Sequence, residues 1–159
     1  VEPISITGAS RLRSGAFPFE LPFRLIHMYS QQGDLVLDPF AGTGTTSLAA
    51  MAGGRSSVSV ELDGNLAGRI ETTLRQGIPT ARVRTVSRLV DHEKFRKRFV
   101  EERGEDLPYQ NDHLETTVRT RQETDLRPLL PVDATAGRSV VTVTHDPSCE
   151  AAGEDLHGV

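Results

Sequence analysis

The hydrophobic residues in the first half of the chain switch between helical and extended spacing. Leu21, Leu25 and Met28 share one helical stripe, which predicts a helix that ends near Tyr29. An uninterrupted apolar run follows at 35–37, and such a run is typical of a strand that is buried in a parallel sheet. The pattern therefore predicts a helix followed by a buried strand.

The same alternation continues toward the middle of the chain. Small residues over 45–52 predict a second helix, and valines that alternate with serines over 57–60 predict a second strand. A leucine- and isoleucine-containing stripe predicts a helix over 65–76 with Gly77 as its C-cap, and a further alternation predicts a third strand over 82–86. This order of elements predicts an α/β fold with an open parallel sheet.

The last third of the chain has weaker and more polar patterns. The charged segment 88–103 predicts a surface helix, and the valines within 140–143 predict a short strand. Beyond position 132, five acidic side chains stand against one basic side chain, as is typical of solvated segments. We therefore expect a folded part over 1–132 and an acidic, flexible tail over 133–159, with disorder over 146–159.

The composition narrows the function classes. Among 159 residues, 22 acidic side chains outnumber 18 basic ones, and a net charge of −4 is not typical of a free-standing nucleic-acid binder. Cys149 is the single cysteine, which excludes an internal disulfide framework and a multi-cysteine zinc site and fits a reducing cytoplasm. The five histidines lack the spacing of metal ligands, so we expect no metal site. The sequence has no apolar run of membrane-spanning length, so we expect no membrane partner.

The segment 35–46 contains the residues that indicate a ligand-binding site. A hydrophobic strand leads into Gly42-Thr43-Gly44, which opens a helix, and ligands of such sheets bind beyond the carboxyl ends of the strands. The two glycines permit positive φ and a close approach of a ligand to the backbone. Glu61 closes the second predicted strand, 17 residues after Gly44, where a carboxylate can accept hydrogen bonds from both hydroxyls of a ribose.

Several ligands could use this geometry. A nucleoside triphosphate site needs a lysine after the last glycine, and Thr45 stands there instead. A dinucleotide site needs a third small residue for the packing of helix on strand, and Ser47 could serve. S-adenosylmethionine needs one adenosine-sized slot, a ribose acceptor and a place for an amino-acid head group, and these residues supply the first two. A tight turn without a ligand is the fourth alternative.

The residues around this turn resemble the amino-group DNA methyltransferases, which methylate N6 of adenine or N4 of cytosine. Asp38–Thr46 resembles the cofactor motif of that family, and Gly15–Pro22 resembles the Phe-Pro-centred motif that precedes it in the permuted class. The segments 33–38 and Val60–Asp63 complete the pattern. One departure is Ser14-Gly15, where the family usually has His-Pro. The resemblance is strong over 12–76.

The resemblance implies a Rossmann-like, S-adenosylmethionine-dependent methyltransferase fold, with S-adenosylmethionine as cofactor and DNA as partner. Its implied cofactor residues are Phe17, Pro18, Asp38, Phe40, Gly42, Gly44, Thr45, Thr46 and Glu61. By this resemblance Phe17 and Pro18 help to form the adenosyl or methionine pocket, and Thr45 and Thr46 begin the helix that receives the methionine end. Glu61 holds the ribose, and the remaining residues form the cofactor loop.

The catalytic signature of the family is missing. It consists of Asp, Asn or Ser followed by Pro-Pro and an aromatic residue, and this sequence contains no Pro-Pro. The nearest imitation, Asp106 to Tyr109, follows a charged helical segment and is more typical of a helix-ending turn. In the permuted class the catalytic half precedes the Phe-Pro motif. We therefore expect an incomplete sheet, formed by the C-terminal half of an enzyme that is either a fragment or paired with a separate catalytic-half chain.

Two other functions stay open at this point. The chain could be a non-catalytic module that binds the cofactor or a partner methyltransferase chain. It could also be a nucleotide-binding oxidoreductase domain, which would take NAD in place of S-adenosylmethionine.

Overall fold

A computed structural model describes residues 17–137 and 139–146. Within these ranges the chain is mixed α/β, with three helices, one 3-10 turn and three separate two-stranded sheets. The elements in chain order are α1 (Glu20–Tyr29), β1 (Leu35–Asp38), α2 (Thr45–Ala52), β2 (Ser56–Ser59), α3 (Gly64–Arg103), β3 (Tyr109–Gln110), β4 (Thr117–Val118), the 3-10 turn (Arg121–Glu123), β5 (Leu130–Gly137) and β6 (Val140–Asp146).

The first two predicted strands form a parallel pair. Strand β1 lies beside β2 with Leu37 opposite Val58, and α2 makes the crossover between them. Val36 points toward α2 and packs against the hydrophobic core. Helix α2 consists largely of small residues, which allow the strand to approach it closely. This part of the fold confirms the predicted order of helix, strand, helix and strand. No third strand joins this sheet within the described ranges.

The predicted third strand is wrong, because residues 82–86 belong to α3. This helix runs without interruption from Gly64 to Arg103, so the predicted helix end at Gly77 is also wrong. The alternation that suggests a strand would place Val83 on a buried face, yet its side chain is 66% exposed. Pro79 lies inside the helix and donates no backbone hydrogen bond, which costs about 3 kcal/mol in an isolated helix.

Tertiary packing keeps α3 helical through Pro79. Its buried residues recur at helical spacing: Leu74, Gly77, Ala81, Thr85 and Val86. They pack against α2 and β5, so one face of the helix is covered over three turns. The hydroxyl of Thr85 donates to the carbonyl of Ala52, which fastens α3 to the end of α2. The burial of this face offsets the lost hydrogen bond at Pro79.

The predicted strand at 140–143 is present and longer than expected. It is part of β6, which pairs antiparallel with β5 in a hairpin. Val141 and Val143 pack against the main core, and Nε2 of His145 lies 3.0 Å from the carbonyl oxygen of Met51. Residues 133–137 and 139–146 are thus in or next to regular structure, whereas the composition predicts a flexible tail from position 133. Apolar alternation in β6 outweighs the acidic composition there. The predicted disorder over 146–159 is wrong at Asp146, which lies in β6, and its other positions lie outside the described residues.

The core lies between α1, α2 and α3. Its fully or nearly fully buried members are Phe23, Ile26, Leu48, Ala49, Ala50, Met51, Ala52, Leu74 and Ala81. A second, smaller cluster joins Val86 of α3 to Leu130 of β5. In the ranges that the structure covers, no helix has the length and apolarity needed to cross a bilayer. Helix α2, which begins directly after the turn that follows β1, supplies five of these core residues and is thereby anchored in the core.

Candidate cofactor-binding site

The turn between β1 and α2 depends on two glycines in left-handed conformation. Gly42 has φ of +55° and Gly44 has φ of +88°, a region that L side chains rarely adopt. The N–H of Gly44 donates to the carbonyl of Ala41 at 2.8 Å. The carboxylate of Asp38 accepts from the N–H of Phe40 at 3.0 Å, which fixes the exit from β1. The predicted loop residues Asp38, Phe40, Gly42 and Gly44 are thus brought together in one turn.

The two glycines are required for different reasons. A Cβ atom at Gly44 would lie 2.9 Å from Cγ2 of Ile70, so a side chain at this position would have to displace the Ile70 side chain of α3. A Cβ atom at Gly42 would meet no atom within 4 Å. Gly44 therefore serves the packing of the turn on α3, whereas Gly42 leaves its backbone open on the outer side of the turn.

Glu61 ties the turn to the end of the second strand. One carboxylate oxygen accepts from the N–H of Gly42 at 2.7 Å, and the other accepts from the N–H of Asp63 at 2.9 Å. The N–H of Ala41 also donates to the carbonyl of Val60. The carboxylate is partly buried and is held in place from both sides. The sequence predicts a ribose acceptor at this position, and the structure adds that the same carboxylate braces the turn.

The helix that follows the turn begins without a side-chain cap. Gly44 is its N-cap, and no side chain at that position accepts from the first N–H groups of α2, where Thr45 and Thr46 stand. These groups carry the partial positive charge of a helix N-terminus. Ser47 is buried, and its hydroxyl lies 2.5 Å from the hydroxyl of Ser59, which fixes α2 against β2.

The aromatic candidates lie in two places. The side chain of Phe40 is 88% exposed on the turn. Phe17 and Pro18 lie directly before α1, where the carbonyl of Pro18 accepts from the N–H of Leu21. Phe17 is 39% exposed. Among the described residues, the hydrogen bonds that hold the turn involve neither Phe17 nor Pro18, so the structure does not join these two positions to Glu61 through polar contacts.

Asp106 and Tyr109 are placed in a helix-ending turn. Gly104 ends α3 in left-handed conformation, and Asp106 turns back to form an ion pair with Arg96 at 2.5 Å. Thr117 also donates to Asp106 at 2.6 Å. The hydrogen bonds from Arg96, and then that from Thr117, hold the pKa of this carboxyl well below its usual range. Asp106 is therefore an ionised acceptor with both oxygens engaged, and Tyr109 lies beyond it on β3.

The described histidines take part in hydrogen bonds within the protein. Nδ1 of His27 lies 2.7 Å from the carbonyl oxygen of Phe23, and its ring contacts that of Phe23 with centroids 4.2 Å apart and the two planes tilted by 50°. Burial, and then the positive charge of Arg88, lowers the pKa of His27 to about 4. Nε2 of His92 lies 2.8 Å from the carbonyl oxygen of Thr117. Throughout the described ranges, no group of three or more His, Cys, Asp or Glu side chains is arranged to hold a metal ion.

Two residues that matter to the turn are missed by the sequence patterns. Ile70 forms the wall against which Gly44 packs, and only the path of α3 reveals it. Asp63 is the N-cap of α3, and its carboxylate accepts from the N–H of Asn65 at 3.0 Å. An Asp directly before a helical stripe is a recognisable N-cap signal, so the capping role of Asp63 could have been predicted from the sequence.

Comparison with known proteins shows which family the sequence around this turn resembles. The family model described as DNA methylase, of the N6- and N4-specific methyltransferases, matches residues 9–70. Residues 9–70 are thus similar to the amino-group DNA methyltransferases. The chain is 42% identical to the type II methyltransferase M.MthZI of Methanothermobacter thermautotrophicus over 121 residues, which is 76% of this chain and 32% of that protein. It is 48% identical to the type II methyltransferase M.MjaI of Methanocaldococcus jannaschii over 71 residues, 45% of this chain and 23% of the relative.

The match therefore covers only part of the length of each of these methyltransferases. The chain spans about a third of the length of M.MthZI. A solved structure with related sequence is TTHA0409 of Thermus thermophilus, described as a putative DNA modification methylase complexed with S-adenosyl-L-methionine. It is 48% identical over 40% of this chain and 26% of its own, with a TM-score of 0.39.

Proposed function

We propose that the turn after β1 binds S-adenosylmethionine as the cofactor site of a DNA methyltransferase. The observation that carries the proposal is the bond between Glu61 and the N–H of Gly42, at a position where a Cβ atom would meet open space. A carboxylate offers about four acceptor positions, and the two backbone bonds of Glu61 use two of them. The remaining two match the two hydroxyls of a ribose.

Each site residue then has one task. Glu61 accepts the ribose hydroxyls, and Gly42 lets the cofactor approach the backbone. Thr45 and Thr46 present the uncapped N–H groups of α2, which favour the carboxylate of the methionine end. Phe17 and Pro18 help to form the adenosyl or methionine pocket, and Asp38, Phe40 and Gly44 form the cofactor loop with Gly42, as the resemblance to the family implies. When bound, the cofactor supplies a methyl group on a sulfonium sulfur.

The methyl acceptor in this proposal is the exocyclic amine of adenine (N6) or cytosine (N4) in DNA. The support is the DNA methylase family model that matches residues 9–70 and the methyltransferase names of the relatives. Both relatives carry type II names, so we place the protein in a restriction-modification system, acting on DNA in the cytoplasm.

The groups that hold the target base come from a complementary part of the enzyme, either in the same polypeptide or in a separate catalytic-half chain. We propose that Asp106 and Tyr109 do not supply them, because the Asp106 carboxylate is already shared between Arg96 and Thr117. The complete enzyme then has the open, Rossmann-like parallel sheet, to which this chain contributes β1 and β2.

Titration followed by amide NMR tests the cofactor. The full chain is titrated with S-adenosylmethionine and, separately, with NAD. We expect the amide signals of Gly42, Gly44, Thr45 and Asp63 to shift with S-adenosylmethionine and not with NAD. The absence of shifts at the turn, or equal shifts with NAD, would overturn the proposal; the second result would favour a nucleotide-binding oxidoreductase domain.

A pair of glycine variants sharpens this test. Gly42→Val fills the open side of the turn, and we expect it to abolish the shifts. Gly104→Val is the matched control, because Gly104 also has positive φ, of +74°, and also has open space around its Cβ position, at the far end of α3. We expect Gly104→Val to preserve binding. Equal effects of the two variants would indicate a general loss of structure.

A second candidate function is a non-catalytic module that binds the cofactor. The observation that favours it is the engagement of Asp106, the nearest imitation of a catalytic carboxylate. A methylation assay with radiolabelled cofactor and DNA, with the complementary part of a related enzyme added, separates the two. Transfer of label to DNA supports the methyltransferase, and cofactor binding without transfer supports the module.

A further inference from the structure

Three consecutive residues at the carboxyl end of β2 hold the structure that follows β1. The carboxylate of Glu61 accepts from the N–H of Gly42, and the carbonyl of Val60 accepts from another N–H group of the same loop. Ser59 makes the third connection, because its hydroxyl lies 2.5 Å from the hydroxyl of Ser47. The first two connections hold the loop, and only this third one reaches the first turn of α2.

Ser47 stands where a dinucleotide site has its third small residue, whose task is to let the helix approach the strand. In this structure the side chain does more. Ser47 is the third residue of α2 and is 3% exposed, and its hydroxyl is bonded across to the strand. A shift of the first turn away from β2 would leave this buried hydroxyl without a partner, which costs free energy. The bond therefore fixes where α2 begins relative to β2.

The two ends of the proposed cofactor site lie on the two elements that this bond joins. Glu61, the proposed ribose acceptor, follows Ser59 by two positions. Thr45 and Thr46, which present the N–H groups proposed for the methionine carboxylate, directly precede Ser47. A ligand gains from two simultaneous contacts only if their spacing matches its length. That spacing depends on how the first turn of α2 is held against β2.

The other end of α2 has an anchor of its own. The hydroxyl of Thr85 in α3 donates to the carbonyl of Ala52 at 3.1 Å, and Thr85 is also buried. This bond resembles the serine pair in chemistry and burial, but it lies at the end of α2 that is remote from the glycine turn. The two ends of the helix can therefore be loosened separately.

We infer that Ser47 and Ser59 are positioning residues, whose hydroxyl pair sets the spacing between the ribose acceptor Glu61 and the N-terminus of α2. The site thereby selects a ligand that carries both a ribose and an amino-acid carboxylate. The two serines act through Glu61 and the first N–H groups of α2, and they do not touch the cofactor. Such supporting hydrogen bonds keep binding groups in their productive geometry. The inference rests on the proposed function.

A comparison of two ligands tests the inference. S-adenosylmethionine reaches both ends of the proposed site, whereas 5′-methylthioadenosine carries the same adenosine without the amino-acid end. The dissociation constants of both ligands are measured by amide NMR titration of the full 159-residue chain. We expect Ser59→Ala to weaken S-adenosylmethionine about fivefold, since the first turn of α2 must then be ordered by the ligand. Binding of 5′-methylthioadenosine should change less than about twofold, because it does not depend on that turn.

Two variants separate positioning from a general loss of stability. Ser59→Thr keeps a hydroxyl on the strand and should restore the preference of the parent chain. Thr85→Val removes the hydroxyl bond at the far end of α2 with little change of shape. We expect it to lower the free energy of unfolding, measured in urea, without changing the ratio of the two affinities.

Hydrogen exchange gives a measurement that needs no ligand. The N–H of Leu48 donates to the carbonyl of Gly44 at 3.0 Å, in the first turn of α2. We expect this amide to exchange faster in Ser59→Ala than in the parent chain, and at the parent rate in Ser59→Thr. An unchanged rate in Ser59→Ala would show that the hydroxyl pair does not hold the first turn, and would overturn the inference.

The titrations have equally clear contrary outcomes. The inference is overturned if Ser59→Ala weakens both ligands equally or neither, or if Thr85→Val has the same selective effect. In each of these cases S-adenosylmethionine still binds the parent chain, so the proposed function stands. A parent chain that binds neither ligand removes the proposed function and the positioning role together, even if faster exchange of Leu48 shows that the serine pair anchors α2.

Discussion

The carboxylate of Glu61 accepts a hydrogen bond from the backbone N–H of Gly42 at 2.7 Å, across 19 positions of sequence. This bond joins the end of the second strand to the turn that follows the first strand. It positions an acceptor beside an open stretch of backbone. Preorganisation of this kind reduces the ordering cost of binding.

Substitution of Glu61 tests this brace. Glu61→Gln keeps one acceptor oxygen, which cannot serve the N–H groups of both Gly42 and Asp63. We expect the affinity for S-adenosylmethionine to fall at least about tenfold, and the amide of Gly42 to exchange faster in the absence of ligand. Binding is measured by calorimetry and exchange by NMR. Glu71→Gln, on the exposed face of α3, should change neither, and an unchanged Gly42 amide in Glu61→Gln would contradict the brace.

Gly44 should resist substitution for two separable reasons. Gly44→Ala forces a side chain into positive φ and toward Ile70, so we expect the free energy of unfolding to fall by about 2 kcal/mol. Gly104→Ala meets the backbone penalty alone and should cost about 1 kcal/mol. Combining Gly44→Ala with Ile70→Ala should cost less than the sum of the two single substitutions. Strict additivity in urea unfolding would show that Ile70 does not limit the site.

Alanine usually stabilises a helix relative to glycine, but we expect the opposite effect at Gly77. A Cβ atom at Gly77 would overlap Cδ1 of Leu48, so Gly77→Ala should destabilise the protein by about 1–3 kcal/mol. Gly68 lies in the same helix with nothing near its Cβ position, and Gly68→Ala should stabilise the protein by about 0.5–1 kcal/mol. Thermal unfolding of the two variants checks the difference in sign. Stabilisation by both would mean that α2 and α3 do not approach closely there.

The ion pair between Glu20 and Arg84 should make stability depend on pH in the acidic range. The hydrogen bonds from Arg84, and then that from Arg24, lower the pKa of Glu20 from 4.5 to about 2, although partial burial opposes them. A carboxyl with a lowered pKa stabilises the fold above its unfolded value of 4.5. That contribution is lost as the pH falls toward about 2.

Glu20→Gln isolates this contribution. At pH 7 we expect the free energy of unfolding to fall by about 1 kcal/mol, and the difference from the parent chain to vanish near pH 2. Urea unfolding at pH 7, 4, 3 and 2 measures it. Glu71→Gln breaks an exposed pair with Arg75 and should cost no more than about 0.5 kcal/mol. A constant difference at every pH would contradict the role of the Glu20 carboxylate.

His27 should titrate far below the ordinary range of histidine. Burial, and next the charge of Arg88, lowers its pKa from 6.5 to about 4. The unfolded chain binds a proton below pH 6.5 and the folded chain only near pH 4, so stability falls as the pH is lowered between these values. NMR titration of the ring should give a midpoint near 4, and Arg88→Ala should raise it. A midpoint near 6.5 would place His27 in solvent.

The segment from Leu35 to Glu61 could be predicted from the sequence because its signals are local. An apolar run, two glycines, a small-residue helix and an alternating strand each specify conformation over a few residues, and the parallel pair β1–β2 confirms them. The roles of Phe17 and Pro18 could not be predicted from such local signals, because only the resemblance to the family implies them. The ribose role of Glu61 likewise stays a prediction, although its place beside Gly42 is now defined.

The glycine turn, the helix after it and the strand at 140–143 could be predicted from the sequence, since backbone freedom and apolar periodicity act over short distances. The continuation of α3 through Pro79 and residues 82–86 could not, because alternating arginine and valine fit a helix as well as a strand over five positions. The burial of Ala81, Thr85 and Val86 between α2 and β5 settles that choice. Such burial depends on residues far away in sequence, which no local pattern contains.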